Sequence, residues 1–114
     1  MGKAKFGDFR DLDVWQRCKD IRKKIWDLCK TFPGEEKYRL SDQMIRASRS
    51  ATANTAEGYG RYHYQENIQF CRQSRGSLYE LIDHLDVAEE CEYINHEVSQ
   101  KLIDVKTRGS GLHS

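Results

Sequence analysis

Membrane-spanning and export segments are missing from this sequence. No apolar run approaches the ~18 residues that a transmembrane helix needs. The N-terminal residues lack the apolar centre of a signal peptide, and they include acids that transit peptides avoid. With 32% charged and 38% hydrophobic residues and one proline among 114, the composition is typical of a soluble helical protein. We therefore expect a cytoplasmic protein of one domain with no membrane partner.

Metal and disulfide spacings are also missing. The four cysteines stand singly and form no Cys-x-x-Cys pair. In a reducing cytosol, such cysteines on apolar helix faces behave as small hydrophobic residues. The four histidines form no i, i+4 pair and have no cysteine at a metal-ligand spacing. The sequence therefore predicts neither a metal site nor a cofactor.

Catalytic motifs are absent as well. The chain has no glycine-rich phosphate loop, no paired histidines on a helix and no Gly-x-Ser-x-Gly elbow. Di-metal sites in helical bundles use a Glu-x-x-His spacing. Glu80 and His84 are instead four residues apart. We therefore predict a protein that is not an enzyme.

Helical periodicity covers most of the chain. Four helices are predicted, with expected bounds of Asp11 to Phe32, Glu35 or Glu36 to Gly58 or Gly60, 65–92, and Asn95 to Thr107. Pro33 and Gly34 separate the first two helices, and Asn95 is the expected N-cap of the fourth. Because the intervening loops are short, the fold class predicted is all-α, an antiparallel up-down-up-down four-helix bundle. The expected domain is 11–106, between a flexible arm, 1–10, and a disordered tail, 107–114.

Apolar or small residues recur at helical spacing and define the expected core. On the first helix they are Val14, Cys18, Ile21, Ile25, Leu28 and Phe32, with Trp15, Trp26 and Cys29 beside them. On the second they are Leu40, Met44, Ala47, Ala51, Asn54 and Gly58. On the third they are Ile68, Cys71, Leu78, Leu81, Ile82, Leu85, Ala88 and Cys91, and on the fourth Val98, Leu102 and Val105.

The core side chains of the second helix shrink towards its C-terminus, which permits close approach of another helix. Gly76 or its neighbours, inside the third helix, are the expected partners, because a mid-helix glycine costs about 1 kcal/mol and suggests close packing. Asn54 and Gln43 are the polar residues expected on or beside the buried face. A buried amide there is more simply a structural hydrogen-bonding group than a ligand contact.

Charge is separated along the chain although the net charge is only +1. Residues 1–61 contain fourteen Lys or Arg against nine Asp or Glu, whereas residues 62–114 contain five against nine. From Gly76 to Glu97 there are seven acids and no Lys or Arg. This pattern predicts a protein surface with a basic and an acidic side.

The stretch from Phe32 to Arg61 also resembles a known family. Matching positions are Phe32, Pro33, Glu36, Tyr38, Leu40, Gln43, Arg46, Ala47, Ser50, Asn54, Ala56, Glu57, Gly58 and Arg61, and then Phe70, Arg75, Gly76, Ser77, Leu78, Glu80, Leu81 and Leu85. They resemble the signature of the bacterial four-helix bundle proteins encoded in intervening sequences of 23S rRNA genes. A more distant similarity is to the accessory proteins of diversity-generating retroelements, which partner a reverse transcriptase and its RNA. Those accessory proteins are strongly basic, unlike this near-neutral chain.

Two functions from different classes fit these features. The first is binding of structured RNA or other nucleic acid, since Lys and Arg neutralise phosphates and tyrosine stacks on unpaired bases. The candidate nucleic-acid-binding residues are Arg22, Lys23, Arg39, Arg46, Arg49, Arg61 and Tyr62. The second is a structural or adaptor oligomer that binds a protein partner, such as a reverse transcriptase or a ribosome-associated protein.

Self-association is expected in either case. The resemblance implies a homopentamer. Independently, Trp15, Trp26 and Cys29 widen the apolar face of the first helix beyond what one bundle interior needs, and large apolar patches are unusual on monomers.

Overall fold

A computed structural model describes residues 8–60 and 64–102, and all regular structure in these ranges is helical. The four α-helices are α1 (Asp13–Cys29), α2 (Leu40–Tyr59), α3 (Tyr64–Glu90) and α4, which is helical over 96–102, where the described range ends. Short 3-10 helices at Phe9–Asp11 and Gly34–Glu36 precede α1 and α2. The predicted all-α four-helix fold is thereby confirmed. Residues 1–7 of the expected arm and 107–114 of the expected tail lie outside the described residues.

Helices α1 and α2 run antiparallel. Near the end of α1, the Cys29 thiol donates to the carbonyl of Ser41 near the start of α2, with an S to O distance of 3.9 Å. Earlier in α1, Arg22 Nη1 donates to Thr52 Oγ1, in the second half of α2, over 3.0 Å. Partners that are later on one helix are thus earlier on the other, as the short loop between them requires.

Helices α2 and α3 are also antiparallel, and polar contacts join them. The Asn67 amide donates to the carbonyl of Gly58 over 2.6 Å, at the end of α2. Half the helix away, the hydroxyl of Ser77 donates to that of Ser50 over 2.9 Å. The antiparallel prediction therefore holds for α1, α2 and α3, and the direction of α4 stays a prediction.

The buried face of α1 is turned relative to the expected one. Trp15 and Cys29 are buried inside the single chain, whereas Val14 and Leu28 are only partly buried. A straight α-helix drifts from a seven-residue repeat by about 20° per heptad, so residues beside the seam at its ends turn inward. Phe9 also covers Trp15 in an edge contact with ring centroids 5.2 Å apart. Two of the three side chains that were expected to favour self-association are therefore part of the core.

Helix α2 begins at Leu40, not at Glu35 or Glu36 as predicted. Glu36 lies in the preceding 3-10 helix and acts from outside α2. Its Oε1 accepts from the backbone N–H of Leu40 over 3.3 Å, and its Oε2 accepts from the Tyr93 hydroxyl over 2.6 Å. The carboxylate interacts with the positive end of the helix dipole, as expected, but Glu36 precedes α2 and is not part of its first turn.

The polar residues of the α2 core differ from those predicted. Gln43 is exposed, because the inward positions of α2 follow Leu40, Met44 and Ala47, and residue 43 is turned away from them. Asn54 is half-buried, and its amide donates to the carbonyl of Ser50 over 3.0 Å, within its own helix. The polar side chains buried on α2 are hydroxyls, those of Ser41, Ser48, Thr52 and Thr55.

The close approach of α3 to α2 lies at Gly58, not at Gly76. A Cβ atom added to Gly58 would stand 2.9 Å from the Cβ of Phe70, whereas one added to Gly76 would meet nothing within 4 Å. Beside Ala51 the α3 residue is Ser74, whose hydroxyl donates to the Ala51 carbonyl over 2.8 Å. The expectation that the small face of α2 packs against Gly76 or its neighbours is therefore met by a neighbour, Ser74, and not by Gly76 itself.

Helix α3 follows its predicted bounds closely, and Asn95 caps α4 as predicted. The side chain of Asn95 accepts from the backbone N–H of Val98 over 2.8 Å.

Two of the four cysteines, Cys18 and Cys29, are buried, whereas Cys71 and Cys91 are exposed. The core prediction is wrong for the latter two, because Cys91 lies in the turn after α3 and Cys71 is on an exposed part of α3, where its thiol donates to Asn67 Oδ1 over 3.7 Å. The predicted α4 residue Val105 lies outside the described residues.

A hydrogen bond to Tyr93 ties the loop before α2 to the loop after α3. The Glu36 carboxylate raises the pKa of Tyr93 to about 12, and the same hydrogen bond, with the Leu40 N–H, holds the pKa of Glu36 below its ordinary value. Because the folded state raises the pKa of Tyr93, this group contributes stability that is fully present below pH ~10 and that is lost as pH rises through about 12. Because the folded state lowers the pKa of Glu36, this group contributes stability that is present above pH ~4.3 and that is lost as pH falls through its pKa in the folded protein.

Tyr93→Phe is therefore expected to lower the melting temperature at pH 7, and the difference from the parent should shrink as pH falls below 4. Thermal unfolding followed by circular dichroism from pH 3 to pH 8 measures both effects. Tyr38→Phe is the matched control, because Tyr38 is 83% exposed. A Tyr93→Phe difference of equal size at pH 3 and pH 7 would contradict the assignment.

Candidate nucleic-acid interface

Two adjoining cavities open between α1 and α2, and we call them together the basic groove. The first, of about 210 Å³, is lined by Arg22, Lys23, Trp26, Asp27, Ile45, Ser48 and Arg49. The second, of about 570 Å³, is lined by Trp26, Cys29, Lys30, Phe32, Pro33, Gly34, Lys37, Tyr38, Ser41, Asp42, Ile45 and Arg49. Trp26, Ile45 and Arg49 line both cavities, so they form the centre of the groove.

Helical spacing places the groove residues on facing stripes. Arg22, Trp26 and Lys30 are four residues apart on α1 and therefore share one face. Ile45 and Arg49 have the same spacing on α2. Since α1 and α2 are antiparallel neighbours, the two stripes meet across the groove.

Trp26 is the main apolar surface of the groove. It is 47% exposed, whereas Trp15 on the same helix is buried. Two cations lie beside its ring, since Lys30 Nζ is 5.5 Å and Arg49 Cζ is 5.7 Å from the ring centroid. Each distance is within the ~6 Å over which a cation is attracted to an indole face.

Arg22 has a fixed position at one end of the groove. Its Nη1 donates to Thr52 Oγ1 over 3.0 Å, and its Cζ lies 6.0 Å from the Trp15 ring centroid. Thr52 in turn donates to the carbonyl of Arg49 over 3.0 Å. An arginine held in this way has several remaining N–H donors and is pre-organised to bind an anion.

Carboxylates moderate the charge of the groove without cancelling it. Asp27 lies 3.7 Å from Lys30 Nζ, and Asp42 lies 3.8 Å from Arg46 Nη1. Both are exposed ion pairs between residues three or four apart on a helix, which contribute little to stability. Five Lys or Arg side chains line the two cavities against these two carboxylates, so the groove is basic.

The structure brings together only part of the residue set predicted from the sequence. Arg22, Lys23 and Arg49 line the groove. Arg46 lies on α2 beside Asp42, and Arg39 is exposed at the start of α2, and neither lines the two cavities. Arg61 and Tyr62 lie outside the described residues.

Four exposed basic or aromatic residues of the groove are absent from the predicted site residues. They are Trp26, Lys30, Lys37 and Tyr38. The apolar pattern of the first helix favours Trp26 as an oligomer contact, although its four-residue spacing from Arg22 and Lys30 is visible in the sequence. Lys37 and Tyr38 follow the 3-10 helix, and Lys37 Nζ lies 5.4 Å from the Tyr38 ring centroid. That turn replaces the α-helical start that the sequence predicts, so helical spacing alone could not locate these two residues.

The acidic stretch lies on α3, on the loop after it and at the start of α4. Glu80, Asp83, Asp86, Glu90, Glu92 and Glu97 are exposed. Glu80 Oε2 is 3.2 Å from His84 Nε2, and His96 Nδ1 is 2.9 Å from Glu89 Oε2. Across residues 8–60 and 64–102, no group of three or more His, Cys, Asp or Glu side chains could hold a metal ion.

Burial makes the two core thiols poor nucleophiles. The pKa of Cys18 is raised to about 11 because burial disfavours the thiolate, and burial also raises the pKa of Cys29. Both thiols are therefore protonated near pH 7 and act as packing groups.

Among the helices that the structure describes, none combines the length and apolarity of a membrane span.

The fold and the groove define a small all-α bundle protein with a basic face on its first two helices. A comparison with protein families gives a more specific result. The model of the 23S rRNA-intervening sequence protein family matches residues 10–109, and the chain belongs to that family. No curated protein matches the chain. The resemblance noted in the sequence is thereby confirmed for this family, whereas the similarity to retroelement accessory proteins stays a prediction.

Several residues that carry the family resemblance have structural roles. Leu40, Ala47 and Gly58 are buried on α2, and Leu78, Leu81 and Leu85 are buried on α3. Glu36 caps α2 through the N–H of Leu40. These positions maintain the packing of α2 with its neighbours, so their match to the family reflects the fold and does not identify a ligand.

Proposed function

We propose that this chain is a non-enzymatic cytoplasmic protein that binds structured RNA through the basic groove. The family name associates its members with 23S rRNA intervening sequences. The observation that carries the proposal is the position of Arg22, Lys23, Lys30, Lys37 and Arg49 around one groove. Cations in such an arrangement contact successive phosphates of a nucleic-acid backbone.

The sidedness of charge supports this proposal. None of the seven acids between residues 76 and 97 is among the residues that line the groove. A nucleic acid in the groove would therefore meet cations without facing the acidic stretch. The acidic side is then available to a protein partner, which is the second function that the sequence predicts.

We further propose that the protein acts as a homo-oligomer, a pentamer by its resemblance. A ring would repeat the groove on each subunit and combine weak phosphate contacts into useful affinity. Less apolar surface is exposed for a subunit interface than the sequence predicts, because Trp15 and Cys29 are buried within the chain. A purely monomeric species in sedimentation at micromolar concentration would exclude the oligomer.

A salt series tests the RNA-binding proposal. The parent chain should bind a structured RNA at low salt, and the affinity should fall steeply as salt rises. The double variant Lys23→Gln, Arg49→Gln should bind more weakly and flatten the logarithmic salt slope by roughly one unit for each phosphate interaction that it removes. Fluorescence anisotropy with a labelled hairpin at several salt concentrations gives both quantities.

Arg72→Gln, Arg75→Gln is the matched control for that experiment. Both arginines are exposed on α3, so the control changes the net charge equally but leaves the groove intact. It should bind as the parent does. No binding by the parent at low salt, or equal weakening by both double variants, would favour the adaptor function with a protein partner.

A further inference from the structure

We propose that Trp26 stacks on an unpaired base of the bound RNA, so that the basic groove recognises single-stranded nucleotides in a loop or at an end. This inference rests on the RNA binding proposed above and specifies which part of the RNA enters the groove. It is carried by the position of one exposed indole among the cations.

The geometry around Trp26 meets both chemical requirements of a nucleotide. The exposed indole offers a π surface for a base, and Lys30 and Arg49 lie within 6 Å of its ring centroid. Arg49 is exposed, so its side chain can move from the ring to a phosphate or stack on the base itself. Stacking on aromatic side chains requires a base that is free of its neighbours, which a duplex does not offer.

The length of the groove fits a short single strand. Arg22 and Lys30 are eight residues apart on α1, which corresponds to about 12 Å along the helix axis. A stacked strand advances about 3.4 Å per nucleotide, so the distance spans roughly three or four nucleotides. Cations thus stand on both sides of Trp26, where the phosphates before and after a stacked base would lie.

The shape of the groove also favours part of a polymer over a free small molecule. The two cavities, of about 210 and 570 Å³, share Trp26, Ile45 and Arg49 and so form one elongated groove, along which five Lys or Arg side chains are spread. An acidic peptide would also satisfy these cations. However, its carboxylates would leave the indole face uncovered, so the groove fits a nucleotide better.

Binding of a single-stranded RNA hexanucleotide and of a blunt RNA duplex, measured at the same low salt, tests the inference. Trp26→Ala should weaken binding of the single strand about tenfold and leave duplex binding unchanged. Its salt slope should equal that of the parent, because the indole carries no charge. Trp26→Phe keeps an aromatic ring and should retain most of the affinity. Tyr79→Ala, which removes a 51% exposed aromatic on α3, is the control and should bind as the parent does.

Tryptophan fluorescence gives a second measurement that does not depend on the alanine variant folding. Stacking on the exposed Trp26 should quench the emission of the parent when the single strand is added. The quenching should disappear in Trp26→Phe, since the remaining Trp15 is buried. Unchanged emission of the parent at saturating single strand would overturn the stacking.

The outcomes separate the inference from the proposed function. If the parent binds neither RNA, RNA binding itself is wrong and the stacking with it. If the parent binds RNA but Trp26→Ala binds the single strand equally well, RNA binding stands and the stacking is overturned. If Trp26→Ala weakens binding of the single strand and of the duplex equally, the stacking is overturned too. Displacement of the single strand by an equal concentration of hexaglutamate peptide would assign the groove to an acidic protein segment.

Discussion

Replacing Ala51 with leucine is expected to lower the free energy of unfolding by about 1–3 kcal/mol. Ala51 is 1% exposed at the centre of α2, and its carbonyl accepts from the hydroxyls of Thr55 and Ser74 over 2.9 and 2.8 Å. A leucine side chain has no space there and would push α3 away, which would stretch the hydrogen bond from Ser74. For a domain of this size, a loss of 1 kcal/mol lowers the melting temperature by about 4–8 °C.

Ala53→Leu is the matched control for that experiment. Ala53 lies two residues away on the same helix and is exposed. Its replacement has the same chemistry and almost the same helix propensity, so stability should change by less than about 0.5 kcal/mol. Thermal and urea unfolding of both variants gives the comparison. Equal stability of the two variants would show that the face of α2 at Ala51 is open.

The fold could be predicted because periodicity and helix-ending residues agree along most of the chain. Pro33 lies in the loop that follows α1, Asn95 caps α4, and the four- and three-residue steps of Leu40, Met44 and Ala47 identify the buried face of α2. These signals are local, so a sequence contains them completely. The bounds of α3 and the antiparallel order of the first three helices follow from the same information.

The sequence-based predictions are wrong where contacts between distant segments of the chain determine the local structure. The start of α2 depends on Glu36, whose carboxylate is held by Tyr93 from 57 residues away. The burial of Trp15 depends on Phe9, which approaches it from the N-terminal 3-10 helix. Helical spacing cannot indicate either contact, since both join segments that are separate in the periodic pattern.

The candidate site was predictable in its chemistry but not in its geometry. Composition indicated basic residues on the first two helices, and three of them, Arg22, Lys23 and Arg49, meet at the groove. The exposure of Trp26 was not predictable from an apolar seam, because the seam does not specify which flanking aromatic is covered. The antiparallel pairing of α1 with α2 makes this choice by placing Arg49 beside Trp26.

The two glycines of the α2 and α3 helices should respond to alanine with opposite signs. A Cβ at Gly58 would stand 2.9 Å from the Cβ of Phe70, and a Cβ is fixed to the backbone and cannot rotate away. At Gly76 the added Cβ meets nothing within 4 Å. Alanine in a helix is worth about 1 kcal/mol over glycine. Gly76→Ala should therefore stabilise the protein by about that amount.

Gly58 is the next-to-last residue of α2, so Gly58→Ala gains no more helix propensity than Gly76→Ala, and it adds an overpacking cost of about 1–3 kcal/mol. Most of the difference in unfolding free energy between the two variants is therefore the overpacking cost. Gly58→Ala should also strain the hydrogen bond from Asn67 to the Gly58 carbonyl, since Asn67 and Phe70 lie on the same part of α3. Chemical unfolding of both variants measures the difference directly. A Gly58→Ala protein as stable as Gly76→Ala would show that α3 does not approach α2 at this glycine.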